Sequence, residues 1–256
     1  MQLRDSAILD NLHIPGITLP GNVFEKRYIA CRYKEKRIYT DDEVMDLPVC
    51  LSSHPHYTEW NLRKRSFEKL YGYLTDQKKP LNILEIGCGN GWLCHRLSSI
   101  PRSKITGLDI NFTEIQQAAR VFNGFQKIKF VYGDIRSGIL YRRHFDIILF
   151  AASIQYFPAL DEILELSLEH LTPSGEIHVT DSRFYNAKTL TAAKQRSYDH
   201  FRSIGFPEMA DHYFHHKFSD LDQFNYKLLY DPHSLINRFR PNPLPFPWIR
   251  IKKDPF

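Results

Sequence analysis

Five short, mainly apolar segments follow one another through the middle of the chain, and four of them are followed directly by glycine or a polar residue. They are residues 81–86, 104–110, 128–132, 145–150 and 176–180. Short apolar runs that end at turn residues are typical of strands buried on both faces of a sheet. Intervening segments place apolar residues at helical spacing, as Leu160, Leu164 and Leu168 do. Strands that alternate with helices predict an α/β fold with a parallel sheet.

The chain on either side of this region follows a different pattern. We expect a helix with a basic, solvent-facing side in residues 22–37 and a second helix in residues 57–74. Beyond the fifth strand, we expect a helix, an irregular insertion and two closing strands. These elements correspond to residues 187–204, 205–220, 224–230 and 246–252.

Together these elements predict a doubly wound, mostly parallel seven-stranded sheet with helices on both faces. Residues 1–78 are expected to form a helical lid beside the substrate pocket, and residues 79–256 the sheet domain. An insertion at about residues 184–220 is expected before the sixth strand. In such a sheet, ligands bind at the carboxyl ends of the strands.

Composition narrows the class of protein. The chain has 256 residues, of which 43% are hydrophobic, and its formal net charge is +5. This hydrophobic content and low net charge exclude a disordered chain. Its four cysteines do not make a disulfide framework. The first residues lack the apolar core of a signal peptide, and no segment reaches transmembrane length. We therefore expect a cytoplasmic protein without membrane insertion.

The first strand runs directly into a glycine loop, Gly87-Cys-Gly-Asn-Gly91. Such a loop lets the backbone approach a ligand closely and directs helix amides towards negative charge. A dinucleotide-binding loop needs a small residue where this chain has Trp92, and the P-loop pattern is absent. Asp109 lies at the end of the second predicted strand, and Asp134 follows the third, at the same edge of the sheet. Asn111 and Glu114 have the spacing of a capping box.

The segment Leu84 to Gly91 resembles the first motif of class I S-adenosylmethionine-dependent methyltransferases, which have a Rossmann-like fold. Residues 107–110 and 132–135 resemble the second and third motifs of that family. Residues 145–152 and 171–176 resemble its fourth-strand motif and the turn before the fifth strand. The resemblance covers roughly residues 79–182 and implies S-adenosylmethionine as the cofactor, with S-adenosylhomocysteine as the product.

The resemblance also implies which residues hold the cofactor. Asp109 would accept hydrogen bonds from the ribose hydroxyls, and Asp134 from the adenine amino group. The full set of implied cofactor contacts is Glu85, Gly87, Cys88, Gly89, Gly91, Asp109, Ile110, Asp134, Ile135, Ala151 and Gln155. Arg63 is either a partner for the cofactor's carboxylate or a solvated helix residue.

The segment after the fourth strand bears on the methyl acceptor. It runs Ala151-Ala-Ser-Ile-Gln-Tyr-Phe-Pro158 and lacks the Asp/Asn-Pro-Pro-aromatic motif of exocyclic amino methylation of nucleobases. It resembles small-molecule methyltransferases, in which Tyr156 would face the acceptor. The expected acceptor contacts are Tyr156, His56, Tyr57, Trp60 and Tyr213.

Histidines cluster in the two appendages, and a histidine can act as a general base near neutral pH. The candidates for this role are His54, His212 and His215, although aromatic and histidine residues at this density also pack a core. No metal site is expected, because the histidines near residue 212 lack a fixed acidic or cysteine partner.

Three functions follow from these patterns. The first is methylation of an oxygen or nitrogen of a small molecule, by a monomer or homodimer. The second is RNA methylation, based on the basic runs at residues 26–37 and 63–65. Glutamates interrupt those runs, so a nucleic-acid partner is not expected. The third is a non-catalytic scaffold that binds S-adenosylmethionine. The intact glycine loop, Asp109 and Asp134 argue against a decayed site, but a scaffold that only binds the cofactor would also keep them.

Overall fold

The computed structural model describes residues 11–14, 23–239 and 241–253. Within these ranges the strands are β1 (Leu12–His13), β2 (Leu81–Ile86), β3 (Ser103–Asp109), β4 (Ile128–Tyr132), β5 (Phe145–Ala151), β6 (Leu171–Thr180), β7 (Asn225–Tyr230) and β8 (Trp248–Lys252). They form one sheet in the order β1-β4-β3-β2-β5-β6-β8-β7. Strands β1 to β6 run parallel, and β7 and β8 close the sheet antiparallel.

This topology confirms the predicted α/β fold with a mostly parallel sheet. The predicted count of seven strands is corrected to eight, because Leu12 and His13 pair with Phe130 and Val131 at the edge. A two-residue strand is too short to produce a periodic pattern of apolar residues.

The helices are α1 (Val23–Lys34), α2 (Asp41–Asp46), α3 (Tyr57–Thr75), α4 (Trp92–Leu97), α5 (Phe112–Val121), α6 (Leu160–His170), α7 (Ala187–Ser203) and α8 (Leu235–Arg238). Helix α1 ends three residues before the predicted limit of 37, and Lys36 has a left-handed φ of 59°. The insertion expected to be irregular at residues 205–220 contains two short 3-10 helices, Pro207–His212 and Phe218–Leu221.

Strand β6 also differs from its prediction, because it begins at Leu171 rather than at residue 176. Leu171 pairs with Phe145, and Glu176 pairs with Ile147, so the residues between them bulge out of the ladder. The Pro-Ser-Gly sequence predicted as a turn is this bulge.

The sheet separates two hydrophobic clusters, as strand alternation requires. On one face, Ile83 and Leu149 pack with Leu70 and Leu74 of α3. On the other face, Leu84 and its neighbours pack with α6. Helices therefore cover both faces, as predicted. Helix α3 packs in the same hydrophobic cluster as one face of the sheet. The predicted domain boundary at residue 78 stays a prediction.

Candidate active site

The carboxyl ends of the central strands surround a cavity of about 410 Å³. The glycine loop after β2 contributes Gly87 and Gly89, and the end of β3 contributes Asp109. Helix α1 covers the opposite side with Tyr28. The cavity therefore lies between the sheet edge and the N-terminal helix, where a doubly wound fold binds its ligand.

The glycine loop is held close to its surroundings at two positions. Gly87 has a φ of +73°, and a Cβ there would lie 2.5 Å from the Cβ of Ser153. Gly91 has a φ of +75°, and a Cβ there would lie 2.7 Å from the ring of Phe130. Both positions require glycine. The loop therefore presents backbone rather than side chains to the cavity, which fits a cradle for a cofactor.

Asp109 fixes this loop to the next helix. Its Oδ2 accepts a hydrogen bond of 2.6 Å from the amide of Gly89, and its Oδ1 accepts one of 2.7 Å from the amide of Asn111. Burial raises the pKa of Asp109 to about 6, although these backbone amides act in the opposite direction. The carboxylate is held rigidly at the cavity wall, where it suits the hydroxyls of a ribose.

Glu114 is a site residue that the sequence patterns missed. Its backbone amide donates to Asn111 Oδ1 at 3.1 Å, as in the predicted capping box. The amide of Asn111, however, donates to Asp109, so the Glu114 side chain does not close the box and lines the cavity instead. Burial and the nearby charge of Asp109 raise the pKa of Glu114 to about 7.

Asp134 also lines the cavity and is paired with Arg136. Its Oδ1 accepts a hydrogen bond of 2.8 Å from the Arg136 amide, and its Oδ2 accepts one of 2.6 Å from Arg136 Nη2. Burial tends to raise the pKa of Asp134, but these hydrogen bonds outweigh it, and the pKa is lowered. Asp134 is therefore an ionised acceptor at the end of β4. Ile135 is buried in the core beneath this wall.

A second cavity, of about 90 Å³, also borders the glycine loop. Glu85, Cys88, Ala151 and Arg63 line it. The Arg63 side chain is 20% exposed and donates to Glu59 at 3.0 Å, which places it against the loop rather than in solvent. The Glu85 pKa is raised to about 8 by burial, so this carboxyl is largely protonated at neutral pH.

The third cavity, of about 650 Å³, lies beyond these two, between α1, α3, α7 and the end of β6. Arg32, Asp181 and Tyr213 are among its lining residues. Tyr28 and Ala152 line all three cavities. A ligand in the first cavity and a ligand in the third would therefore meet across these two residues.

Aromatic side chains form the wall between the first and third cavities. The ring of Tyr156 lies edge-on to the rings of Tyr28 and Tyr213, with centroid distances of 5.7 and 5.8 Å. Arg32 Nη2 donates to the Tyr28 hydroxyl at 2.7 Å. The prediction that α1 turns its basic residues to solvent is therefore wrong for Arg32, whose side chain is only 21% exposed. Pairing with tyrosine hydroxyls stabilises the inward orientation.

The three candidate histidines lie in different places. His212 lines the first cavity, with its ring 5.1 Å from that of Phe24. His215 Nε2 lies 2.9 Å from the hydroxyl of Ser197, and His54 Nδ1 accepts from the amide of His56 at 3.0 Å. Neither His54 nor His215 lines any of the three cavities.

The remaining predicted residues divide between the cavity walls and the surroundings. Trp60 lines the second cavity, whereas His56 binds the carbonyl of Glu35 and Tyr57 is 38% exposed, both outside the cavity walls. Gln155 lines the third cavity rather than the first. Its amide donates to the Ala152 carbonyl at 2.6 Å, and its Oε1 accepts from the Ser182 hydroxyl at 2.9 Å.

Two further properties concern the residues that the structure describes. No helix among them is long and apolar enough to cross a membrane. No group of three or more histidine, cysteine or acidic side chains among them is arranged to hold a metal ion.

Residues 77–227 match the model of a family described as "Methyltransferase domain". The chain therefore belongs to the class I S-adenosylmethionine-dependent methyltransferases, enzymes for which S-adenosylmethionine is the cofactor. This confirms the resemblance and the cofactor expected from the sequence.

The chain is similar to malonyl-[acyl-carrier protein] O-methyltransferases from two bacteria. It is 22% identical to that of Halalkalibacterium halodurans over 54% of each chain. It is 30% identical to that of Priestia megaterium over 39% of this chain and 36% of the relative. The chain spans about half the length, or less, of the curated relatives it matches.

Two solved structures share the fold. The plantazolicin methyltransferase BpumL, solved with a triazolic desmethylPZN analog and SAH, is 21% identical with a TM-score of 0.55. The match covers 90% of this chain and 97% of that one. The YcgJ protein of Bacillus subtilis is 15% identical with a TM-score of 0.53, over 72% of this chain and 98% of that one.

Proposed function

We propose that this protein transfers the methyl group of S-adenosylmethionine to an oxygen or nitrogen atom of a small molecule. The observation that carries the proposal is the wall shared by two cavities. Tyr28, Ala152 and Tyr156 line both the cavity at the glycine loop and the larger cavity beyond it. A cofactor in the first cavity and an acceptor in the second would approach each other at this wall.

The residues of the chain supply binding and alignment. We assign the ribose to Asp109, the adenine amino group to Asp134, and the cofactor's carboxylate to Arg63. The bound cofactor supplies an activated methyl group, so the main task of the protein is to position the acceptor in line with it. The aromatic wall limits access of water to the reacting atoms.

For the acceptor side, we retain Tyr156 and Tyr213 as contacts, because both line the 650 Å³ cavity that we assign to the acceptor. Trp60 lines the 90 Å³ cavity beside the glycine loop, and its contact with the acceptor stays a prediction from the sequence. His212 lines the cavity that we assign to the cofactor, and its role as a base stays a prediction from the sequence. We assign no contact with the acceptor to His54, His56, Tyr57 or His215, whose side chains lie outside the cavity walls.

The curated relatives are named for O-methylation of a carrier-bound malonyl group, and BpumL was solved with an analogue of a peptide natural product. These names support an acceptor that is not a nucleic acid. Cytoplasmic location and a monomeric or homodimeric state stay predictions from the sequence.

Labelled methyl transfer tests this function. Purified protein is incubated with S-adenosylmethionine carrying a labelled methyl group and with separated low-molecular-mass, protein and RNA fractions of a cell extract. We expect label in the low-molecular-mass fraction. Label confined to the RNA fraction or the protein fraction would overturn the proposed acceptor class, and binding of S-adenosylhomocysteine without transfer to any fraction would indicate a scaffold.

A further inference from the structure

Asp181 stands directly after β6, at the same edge of the sheet as the proposed cofactor site. The carbonyl of Thr180 accepts a hydrogen bond of 3.0 Å from the amide of Ala152. Asp181 is therefore adjacent to the wall that the cavities share, and it lines the 650 Å³ cavity that we assign to the acceptor. No sequence motif marks this position.

The backbone of Asp181 adopts a conformation that is unfavourable for most residues. Its φ is +54°, in the left-handed region. Non-glycine residues in that region cluster at functional sites, where the surrounding structure holds them in place. Here the neighbouring Ser182 anchors the segment by donating to Gln155 Oε1 at 2.9 Å.

The carboxyl group of Asp181 is incompletely satisfied. Its Oδ1 is buried and accepts no hydrogen bond from the residues that the structure describes. A buried acceptor without a donor is costly, so this arrangement calls for an explanation. A donor on a ligand in the adjoining cavity would provide one.

The charges around this carboxyl come from several elements. Helix α3 contributes Arg63, Glu59 and the Ser66 hydroxyl, and burial raises the pKa of Asp181 against the effects of Arg63 and Ser66. The same cavity is lined by Tyr156 after β5, by Arg183 on the Asp181 segment, and by Arg196 on α7. A carboxylate with a raised pKa is a stronger base than one in water.

We propose that Asp181 is the catalytic base, which holds an O–H or N–H group of the acceptor and takes its proton. This rests on the proposed function. In the step, the acceptor's lone pair bonds to the methyl carbon, and the methyl–sulfur bond breaks with its electron pair left on sulfur. The acceptor's proton passes to the Asp181 carboxylate and then to solvent.

This assignment also selects the chemical class of the acceptor. A hydroxyl, amine or amide nitrogen must lose a proton on methylation, whereas an ionised carboxylate has none to lose. The acceptor is therefore a protic alcohol, phenol or nitrogen compound rather than a carboxylic acid.

The variant Asp181→Asn tests the role of the carboxyl group with little disturbance of the backbone. Asparagine is nearly the same shape and tolerates the left-handed conformation. Asp161→Asn, at an exposed aspartate of α6 away from the three cavities, is the matched control. Each protein is assayed for binding of S-adenosylhomocysteine by calorimetry and for label transfer to the low-molecular-mass extract fraction.

We expect Asp181→Asn to bind S-adenosylhomocysteine within about threefold of the native protein and to transfer label at least about 100-fold more slowly. At saturating S-adenosylmethionine, the native rate should fall as pH decreases through the raised pKa of Asp181, and the variant's residual rate should not. A native transfer rate in Asp181→Asn would overturn the inference, and so would loss of S-adenosylhomocysteine binding. Absence of transfer by the native protein would instead overturn the proposed function itself.

The bond formed to the methyl group provides a second test, which needs no identification of the acceptor. Labelled product is treated with alkali, which releases volatile methanol from a methyl ester but leaves methyl ethers and methylamines intact. We expect the label to be stable. Release of labelled methanol would show a carboxylate acceptor and contradict the role of Asp181.

Discussion

The carboxylate of Glu25, on helix α1, accepts a hydrogen bond of 2.7 Å from the backbone amide of Phe112, the first residue of helix α5. It also accepts from the amide of Thr113 at 3.3 Å. A side chain from the N-terminal segment therefore satisfies free amides at the start of a helix 87 residues further along the chain. This contact joins helix α1 to the rim of the 410 Å³ cavity.

We expect Glu25→Gln to weaken binding of S-adenosylhomocysteine by about three- to tenfold, because it removes a charged cap that holds α1 over the cavity. Calorimetric titration measures this change. Glu165→Gln, at an exposed position on α6, is the control and should bind as the native protein does. Equal affinities for the two variants would show that the cap does not contribute to binding by holding α1 over the cavity.

The pair of carboxyl groups at the cavity predicts a pH dependence of stability. The pKa of Glu114 is raised from 4.5 to about 7 in the folded protein. Its favourable contribution is therefore complete below pH 4.5 and is lost as pH rises through about 7. The free energy of unfolding should decrease by about 1–2 kcal/mol more in the native protein than in Glu114→Gln across this range, after allowance for solvent screening.

Urea denaturation at a series of pH values tests that difference in the absence of cofactor. Parallel pH profiles for the native protein and Glu114→Gln would mean that the Glu114 carboxyl titrates normally.

The same two carboxyl groups, Asp109 and Glu114, predict a pH dependence of cofactor binding. S-adenosylmethionine is a cation, whereas S-adenosylhomocysteine is neutral. The affinity for S-adenosylmethionine, relative to that for S-adenosylhomocysteine, should therefore be higher above pH 7 than below pH 6.

The glycine loop allows a matched pair of alanine substitutions. Gly91→Ala would place a Cβ 2.7 Å from the Phe130 ring at a φ of +75°, whereas Gly124→Ala meets nothing within 4 Å and needs no positive φ. We expect Gly91→Ala to destabilise the protein by about 2 kcal/mol and Gly124→Ala to change its stability by less than about 0.5 kcal/mol. Thermal denaturation compares them. Similar melting temperatures for both variants would contradict the packing described for Gly91.

Local patterns predicted the parts of the molecule that depend on neighbours in sequence. The central strands, the glycine loop and Asp109 all belong to short segments whose spacing determines their place at the sheet edge. The family match confirmed the fold class and the cofactor on that basis. Roles of individual cofactor residues stay predictions that binding experiments test.

Long-range contacts explain what the patterns could not predict. Arg32 has the spacing of a surface residue, and its hydrogen bonds to Tyr28, Tyr156 and Glu35 account for its inward orientation. Glu114 has the spacing of a helix cap but turns to the cavity because Asp109 occupies the amide of Asn111. The histidines were conspicuous in composition, yet His54 and His215 do not line the three cavities, and each is hydrogen-bonded to another polar group.

Calorimetric titration of the native protein and of Asp109→Asn with S-adenosylhomocysteine tests the cofactor site most directly. We expect one binding site per chain, with affinity reduced by at least about tenfold in Asp109→Asn, which loses a charged acceptor, and unchanged in Asp161→Asn. Absence of binding to the native protein, or equal binding to native protein and Asp109→Asn, would contradict this expectation.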